Sequence, residues 1–405
     1  MKAGWQIKTV GDVCNVINGG TPTTGVAEYW DGSHQWITPA EMGKRDTPYI
    51  DQTKRTITDA GLRNSSARLL PLQSVILSSR APIGHLVINN MPMATNQGCK
   101  GLVPCNGLDS KYLYYYLTSI VPLLNDLGTG ATFKELSGGK LKEVPIPIAP
   151  LPEQHRIVAI LDEAFDGIAK ARANAEQNRQ NARAIFESYL QSVFTQRGEG
   201  WVEATIGEVC DIKHGFAFSG EDFSSDVPAG NPLVITPGNF TEDGKLLFNE
   251  RNTKRFSGHI PAGFQFNIGD LVVVMTDLSS KMKILGKPAF VETDDILHNQ
   301  RIGRLVFSTD RVEKRLLYYF MMTEDFLKNI KMSSTGTMVK HTAPKRIMSN
   351  VIPFPENREE QRAIIGKLDN LREETQCLES IYQRKLAALD ELKKSLLHQA
   401  FSGQL

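Results

Sequence analysis

The sequence predicts a chain of two similar α+β domains, each followed by one long helix. The two helices are expected to pair as an antiparallel intramolecular coiled coil, giving the whole a pseudo-two-fold internal repeat. Three observations carry this: an internal duplication, a mixture of short β-rich runs and turn clusters in each copy, and two long stretches with a heptad pattern. The 405 residues exceed one ordinary core and call for more than one domain.

The duplication keeps its order along the chain. Gly4-Trp5 returns as Gly200-Trp201, and Thr9-Val10-Gly11-Asp12-Val13-Cys14 as Thr205-Ile206-Gly207-Glu208-Val209-Cys210. Ile37-Thr38-Pro39 matches Ile235-Thr236-Pro237, and Asn96-Gln97 matches Asn299-Gln300. Further on, Thr129-Gly130 matches Thr335-Gly336, Pro145-Ile146-Pro147 matches Pro353-Phe354-Pro355, and Glu153-Gln154 matches Glu360-Gln361. A period near half the chain is far too long for a solenoid, so each copy is a domain with an appendage. The expected boundaries are a domain over 1–150, a helix over 151–197, a second domain over 198–355 and a second helix over 356–405.

Within each domain, β-rich runs such as Ser74–Ser78 and Leu271–Met275 lie between turn clusters such as Asn18-Gly19-Gly20 and Asn106-Gly107. A short helix is expected around Lys111–Ser119. Beyond each domain the composition changes. Past Pro152 the first helical stretch has no further proline, 358–402 has none, and each holds a single glycine, Gly167 or Gly366. A 4,3 alternation runs through Ile157, Leu161, Ala164, Ile168, Ala171, Ala175, Asn178, Ala182, Ile185 and Tyr189. The second helix repeats it through Ile364, Leu368, Leu371, Thr375, Leu378, Tyr382, Lys385, Leu389, Leu392 and Leu396. A 3.5-residue apolar period of this length predicts a coiled-coil seam. Pro152 suits a first turn, Asn357 with Glu360 resembles a capping box, and Gly198 and Gly403 suit the stops.

The order domain, helix, domain, helix makes an intramolecular pair antiparallel. At about 1.5 Å per residue each helix would span roughly 60 Å. Two similar but non-identical domains on such a spacer are expected to read two different half-sites separated by a fixed gap, as two-fold proteins do on B-DNA. Asn178 and Lys385, polar at equivalent seam positions, are expected either to fix register or to snorkel to water.

Composition narrows the function classes. The net charge is +1, and residues 1–150 hold 14 basic and 11 acidic residues, so electrostatics alone does not announce a nucleic acid. Five cysteines, at 14, 99, 105, 210 and 377, form no Cys-x-x-Cys pair and are expected to be buried reduced thiols, with neither disulfide nor zinc. No apolar run is long enough for a bilayer and Met1–Val10 has no signal-peptide core, so the chain is expected in the cytoplasm without membrane contact. No phosphate loop, Asn-Pro-Pro-aromatic motif, glycine-rich cofactor loop or His-x-x-x-His pair is present. Asp243-Gly244-Lys245 resembles a nuclease Asp-x-Lys only superficially and reads as a turn. The expectation is therefore no catalytic residue, no metal and no cofactor on this chain.

The remaining motifs carry a family resemblance. Leu77-Ser78-Ser79-Arg80-Ala81-Pro82-Ile83-Gly84, Thr95-Asn96-Gln97-Gly98, the exit Pro145-Ile146-Pro147 and the helix start Pro152-Glu153-Gln154-His155-Arg156-Ile157 follow one another. The second copy repeats the order through Asn299-Gln300, Pro353-Phe354-Pro355 and Glu360-Gln361-Arg362-Ala363-Ile364. This resembles the specificity subunits of type I restriction-modification systems over the whole chain. One departure stands out: the second copy has Thr276-Asp277-Leu278-Ser279-Ser280-Lys281 where the first has Arg80 and its neighbours.

The resemblance implies two target-recognition domains, each reading one half of an asymmetric site on double-stranded DNA. It implies docking of two modification subunits that methylate adenine with S-adenosylmethionine, and of restriction subunits that use ATP and magnesium to translocate and cut. Base readout from loops would use Arg, Lys, Asn and Gln. The candidates are Thr21, Thr23, Lys44, Arg45, Arg80, Asn96, Gln97 and Lys100 in the first copy. In the second they are Lys213, His214, Lys281, Lys283, Asn299, Gln300 and Arg301. The Asn-Gln pairs recur in both copies, so scaffold or phosphate duties suit them as well as base reading. The alternative function is a coiled-coil adaptor without a DNA partner.

Overall fold

The computed structural model describes residues 4–43, 45, 47–80, 82–130, 134–224, 230–337 and 339–405. The chain divides into two compact units, Met1–Glu176 with Arg384–Leu405, and Gln177–Gln383. Both divisions fall inside long helices, Leu151–Thr195 and Arg358–Ser402. Each unit thus holds one α+β domain together with a stretch of each helix. No helix among the described residues is long and apolar enough to cross a membrane.

The repeated motifs are the local devices that start and close each domain. Thr9 caps a single helical turn, Val10–Val13, in a capping box with Asp12, and Thr205 does the same with Glu208 over Ile206–Val209. The valine and isoleucine of these turns are buried, and Cys14 or Cys210 then starts a strand. Ile37-Thr38-Pro39 and Ile235-Thr236-Pro237 are capping boxes as well, Thr38 with Glu41 and Thr236 with Asn239, each with proline in the first turn. The Pro-x-Pro exits are strands: Pro145–Ile148 pairs antiparallel with Gln6–Thr9, and Val351–Pro355 with Trp201–Thr205. These ribbons have only two strands, which tolerates prolines that cannot donate. They bury Ile146 and Phe354 completely.

The first domain is built on a five-stranded sheet in the order Cys14–Asn18, Cys99–Pro104, Val75–Ser78, Leu86–Asn89, Tyr49–Ile50. A three-stranded sheet of Arg55–Ile57, Trp30–Ile37 and Met93–Thr95 lies beside it in the chain order. The second domain repeats the plan. Its main sheet runs Cys210–His214, Ile302–Phe307, Leu271–Val274, Pro288–Phe290, and its smaller sheet includes Leu233–Val234 parallel to Ile296–Leu297. That parallel pair corresponds to Gln35–Ile37 on Met93–Thr95.

Within each unit the two helix segments run antiparallel and share the domain's core. In the first, Ile157, Leu161, Leu397 and Ala400 pack with Trp5, Val10 and Tyr112, and Phe401 meets Tyr112 and Tyr116 edge-on. Residue numbers rise on one helix as they fall on the other: Arg156 donates to the Leu405 carbonyl, and Arg172 pairs with Asp390. In the second unit Leu190, Phe194, Ile365 and Leu368 join the core with Tyr319 and Phe320.

A buried glutamine fastens each helix to its domain. Gln154 is wholly buried. Its carbonyl accepts from the Asp109 N–H at 2.9 Å, and its amide donates to the Gly107 and Ala149 carbonyls, both at 2.8 Å. Gln361 repeats this with the Glu313 N–H at 2.8 Å and the Arg311 and Pro355 carbonyls at 2.7 and 2.9 Å. One helical turn and more beyond, Asp162 accepts from Lys111 and Tyr115, and Asp369 from Arg315 and Tyr319.

Several expectations are corrected. Ile185, Leu378 and Leu392 are 53, 40 and 46% exposed, outside the seam assigned to them. A straight helix at 3.6 residues per turn drifts about 20° per heptad from a 3.5 repeat. The buried row therefore passes from Ala175 and Ala182 to Phe186, Leu190 and Phe194, where the domain core rather than the second helix sets the contact. Asn178 and Lys385 are exposed, with Leu386 buried beside the latter, so of the two courses expected of them they reach water and do not sit in the packed row. Ile157, Leu161 and Leu368 are buried, while Ile168, Tyr189, Ile364, Leu371, Leu389 and Leu396 are half-buried. Cys14, Cys99 and Cys210 are buried, but Cys105, at a turn, and Cys377, on the second long helix, are exposed.

Candidate nucleic-acid interface

In the first domain four loops converge on one another. The segment after Cys14–Asn18 is pinned by its backbone, Gly19 N–H to the Cys99 carbonyl at 3.2 Å and Gly20 N–H to the Thr95 carbonyl at 2.8 Å. It has no room for side chains. A Cβ on Gly19 would lie 1.8 Å from the Asn96 carbonyl oxygen, and one on Gly20 would lie 2.2 Å from the Ala67 nitrogen. Two tryptophans hold its other side: Trp36 Nε1 donates to the Gly20 carbonyl at 3.0 Å and Trp30 Nε1 to that of Thr23 at 3.3 Å. Gly19-Gly20-Thr21-Pro22 is thus a clamped segment and not a free turn.

Asn96 turns the chain. Its Oδ1 accepts the Gly98 N–H at 2.9 Å, leaving Gln97 exposed at the tip, where Thr21 Oγ1 donates to Gln97 Oε1. The Gly98 carbonyl takes the Ser79 N–H at 2.7 Å, and the Ser79 carbonyl takes that of Leu136 at 2.8 Å. This sets Arg80 against Glu135, Nε to Oε2 at 3.1 Å, with both side chains near half exposed. Lys100 is buried, and burial pulls its ammonium pKa down, with Glu135 opposing.

The second domain repeats the main-chain ties around the asparagine turn. Phe216 N–H meets the His298 carbonyl at 2.8 Å, and a Cβ on Gly215 would lie 2.2 Å from the Asn299 oxygen. Asn299 Oδ1 accepts the Arg301 N–H at 3.1 Å and leaves Gln300 exposed. Met275 N–H meets the Arg301 carbonyl at 3.0 Å and Thr342 N–H the Met275 carbonyl at 2.9 Å. Thr276 and His341 then stand where Arg80 and Glu135 do, Oγ1 to Nδ1 at 3.0 Å.

Of the sequence candidates, Thr21, Arg80, Gln97 and Lys100 are brought together in the first domain, and Gln300 and Arg301 share one turn in the second. Asn96 and Asn299 are turn scaffold. Thr23 contributes its carbonyl to Trp30 and is itself exposed. Arg45 is engaged elsewhere, donating to the Tyr49 carbonyl at 2.8 Å, and Lys44 lies outside the described residues. Lys213 and His214 are exposed on the outermost strand of the main sheet, Lys281 is exposed in a loop, and Lys283 pairs with Glu242.

The candidate set omitted four side chains at these loops. Glu135 and His341 come from the loops marked by the repeated Thr-Gly, where Gly130 and Gly336 take φ of 128° and 98°, a region that suits glycine. Phe216 is 38% exposed, packed against Phe218 and Phe264. Arg55 lies with its guanidinium 3.6 Å over Trp30, the ring that holds Thr23. The repeat pointed to the first two, but no sequence signal distinguished Arg55. Asp243-Gly244-Lys245 is a tight turn bridging Phe240 and Leu246, with Gly244 at φ 76°. Among the described residues, no cluster of His, Cys, Asp or Glu could hold a metal ion.

One buried group is expected to make the second domain's stability depend on pH. Burial holds the His298 imidazole down to about 4, and its Nε2–H donates to the Ile302 carbonyl at 2.9 Å. Above the unfolded value of about 6.5 the ring is neutral in both states and contributes no pH dependence. As pH falls below that, the unfolded chain takes up a proton that the folded domain refuses, so stability drops until both are protonated near 4. The loss should total about 3 kcal/mol. Urea titrations across this window should show the slope, and His298→Thr, the residue the first domain carries as Thr95, should flatten it.

Comparison with known proteins follows this geometry. A family model described as the type I restriction modification DNA specificity domain matches residues 2–177 and again 198–384. The MjaIX type I restriction enzyme specificity subunit of Methanocaldococcus jannaschii is 25% identical, over 99% of this chain and 93% of that one. The EcoR124I/EcoR124II specificity subunit of Escherichia coli is 31% identical over 40% of this chain and 41% of its own. Among solved structures, one from a study of complex assembly and conformational transition of the type I restriction-modification system has a TM-score of 0.79 at 19% identity, covering 100% of this chain and 99% of that one. The HsdS subunit from Thermoanaerobacter tengcongensis follows at 0.57 and 18%, covering 100% and 98%. At these identities the structural likeness speaks for the fold.

Proposed function

This chain belongs to the type I restriction-modification DNA specificity family, and from that membership we propose how its domains share the work. Each α+β domain reads one half of a bipartite, asymmetric site on double-stranded DNA. The long helices join the two readers and dock two methyltransferase subunits, and restriction subunits complete the assembly. The chain itself catalyses nothing. Adenine methylation with S-adenosylmethionine and ATP- and magnesium-dependent translocation and cleavage belong to the partners, in the cytoplasm.

The observation that carries this reading is one frame built twice. Each copy presents an exposed glutamine, Gln97 or Gln300, at the tip of an asparagine-fixed turn, and in the first copy Thr21 from a neighbouring loop bonds to it. Glutamine donates and accepts side by side, matching the adenine edge in the major groove. Thr21, Arg80, Gln97 and Arg55 are assigned to the first half-site, and Gln300, Arg301, Lys213 and His214 to the second. The near-zero charge fits a subunit whose partners supply much of the phosphate clamp.

The test is domain exchange in the assembled complex, read by sequencing methylated adenines. Replacing residues 3–150 with the matching domain of a relative should change one half-site and leave the other and the gap intact. A change in both half-sites, or in neither, would overturn separate reading. The isolated chain should neither methylate nor cut DNA.

A further inference from the structure

We propose that the two half-sites differ because four equivalent positions differ in chemistry inside one shared frame: Gly20 against Phe216, Gly98 against Arg301, Arg80 against Thr276, and Glu135 against His341. This rests on the reading that each domain recognises DNA and names the groups that set the sequence each one reads.

The equivalences follow from main-chain bonds. Gly20 and Phe216 donate to Thr95 and His298, the residues before the shared asparagines. Gly98 and Arg301 accept from Ser79 and Met275. Glu135 and His341 exchange both main-chain bonds with Thr129 and Thr335, at 2.8–3.0 Å. Arg80 is bridged to Glu135 as Thr276 is paired with His341. Backbones matched this closely deliver their side chains to corresponding places. Asn96 and Asn299, alike in both copies, are taken up in holding the turn. A shared residue cannot distinguish two half-sites, so discrimination falls to the positions that change.

The chemistry at those positions differs in kind. The first domain offers an arginine and a carboxylate side by side and has bare backbone at Gly20 and Gly98. Arginine addresses guanine O6 and N7, and a carboxylate accepts from the cytosine amine. The second offers a hydroxyl and an imidazole, with a guanidinium moved to the turn itself at Arg301 and an exposed ring at Phe216 suited to a thymine methyl. The backbone at Gly20 is closed by Ala67, whereas Phe216 has Phe218 and Phe264 to lean on. The frame thus admits the aromatic in one domain and excludes it in the other.

The experiment uses the whole complex in cells, with methylated adenines sequenced genome-wide. Arg301→Gly installs the residue that the first domain carries at that position. It should relax one base position of the second half-site by about tenfold to hundredfold, with the first half-site and gap unchanged. Arg80→Thr with Glu135→His installs the second domain's hydrogen-bonded pair and should alter the first half-site alone. An unaltered motif at normal methylation, or weakening that is uniform across sequences as for a phosphate contact, overturns the proposal. The unaltered complex serves as the reference: if it shows no bipartite motif, the underlying reading fails together with this one, whereas unchanged variants on a clear motif remove only this one.

Discussion

Gln154→Leu is expected to cost the first domain roughly 2–4 kcal/mol, an appreciable fraction of a domain's stability. The substitution keeps the volume and the buried site but strips three backbone groups of their only side-chain partner: the Asp109 N–H and the Gly107 and Ala149 carbonyls. The Ala149 carbonyl is buried and as an orphan costs about 1–3 kcal/mol. The exposed Gly107 and half-buried Asp109 can turn partly to water and add only the net worth of a hydrogen bond, about 0.5–1.5 kcal/mol each. The Asp109 N–H matters further because Asp109 caps helix Ser110–Ser119, which carries Tyr112, Tyr115 and Tyr116 into the core. Gln361→Leu should act alike in the second domain through Glu313, Arg311 and Pro355. Gln177→Ala, exposed on the same long helix, should stay within about 0.5 kcal/mol. Chemical denaturation of the three variants measures this directly. A Gln154→Leu protein with unchanged midpoint would mean that the staple bears no load and that helix and domain are held by Ile157 and Leu161 alone.

That staple also shows what the sequence could and could not disclose. The repeated Glu-Gln was visible as a motif at a helix start, because duplication exposes whatever both copies need. Its work was invisible, because the partners are main-chain groups 5 to 47 positions away in the chain. The same holds for Asn96 and Asn299. Their recurrence argued against base reading, and their use as turn anchors explains the recurrence. Long-range order was legible wherever a period carried it: the two 45-residue helices and the paired domains follow from spacing alone. The seam was legible only as far as the helices follow a 3.5-residue period. Ile185, Leu378 and Leu392 escaped because pattern cannot tell when a domain replaces a helix as the packing partner. Arg55 escaped for a related reason. An arginine in a β-rich run is ordinary until the fold lays it on Trp30.

Gly19→Ala should abolish recognition of the first half-site while sparing the second. The added Cβ would sit 1.8 Å from the Asn96 carbonyl oxygen and 2.4 Å from Thr95 Oγ1, and real contacts of that kind do not occur. The Asn96 main chain cannot swing away, and the Thr95 hydroxyl is buried with little room to turn. Asn96 is tied by its own N–H to the Ile37 carbonyl at 3.0 Å and by its side chain to Gly98, and Thr95 receives the Gly20 N–H. Relief therefore requires the clamped segment and the turn to separate, which parts Thr21 from Gln97 and shifts Gly98, whose carbonyl positions Ser79 and so Arg80. Overpacking of this kind costs about 3 kcal/mol where the backbone cannot yield, and the distortion is aimed at the very loops assigned to DNA. Gly25→Ala, with nothing within 4 Å of its added carbon, is the matched control and should leave both stability and the methylated motif intact. Gly215→Ala, 2.2 Å from the Asn299 oxygen, should reverse the pattern, losing the second half-site and keeping the first. Methylome sequencing with each variant complex reads both outcomes at once. A Gly19→Ala complex that still methylates the full bipartite motif would place recognition of the first half-site on loops other than these.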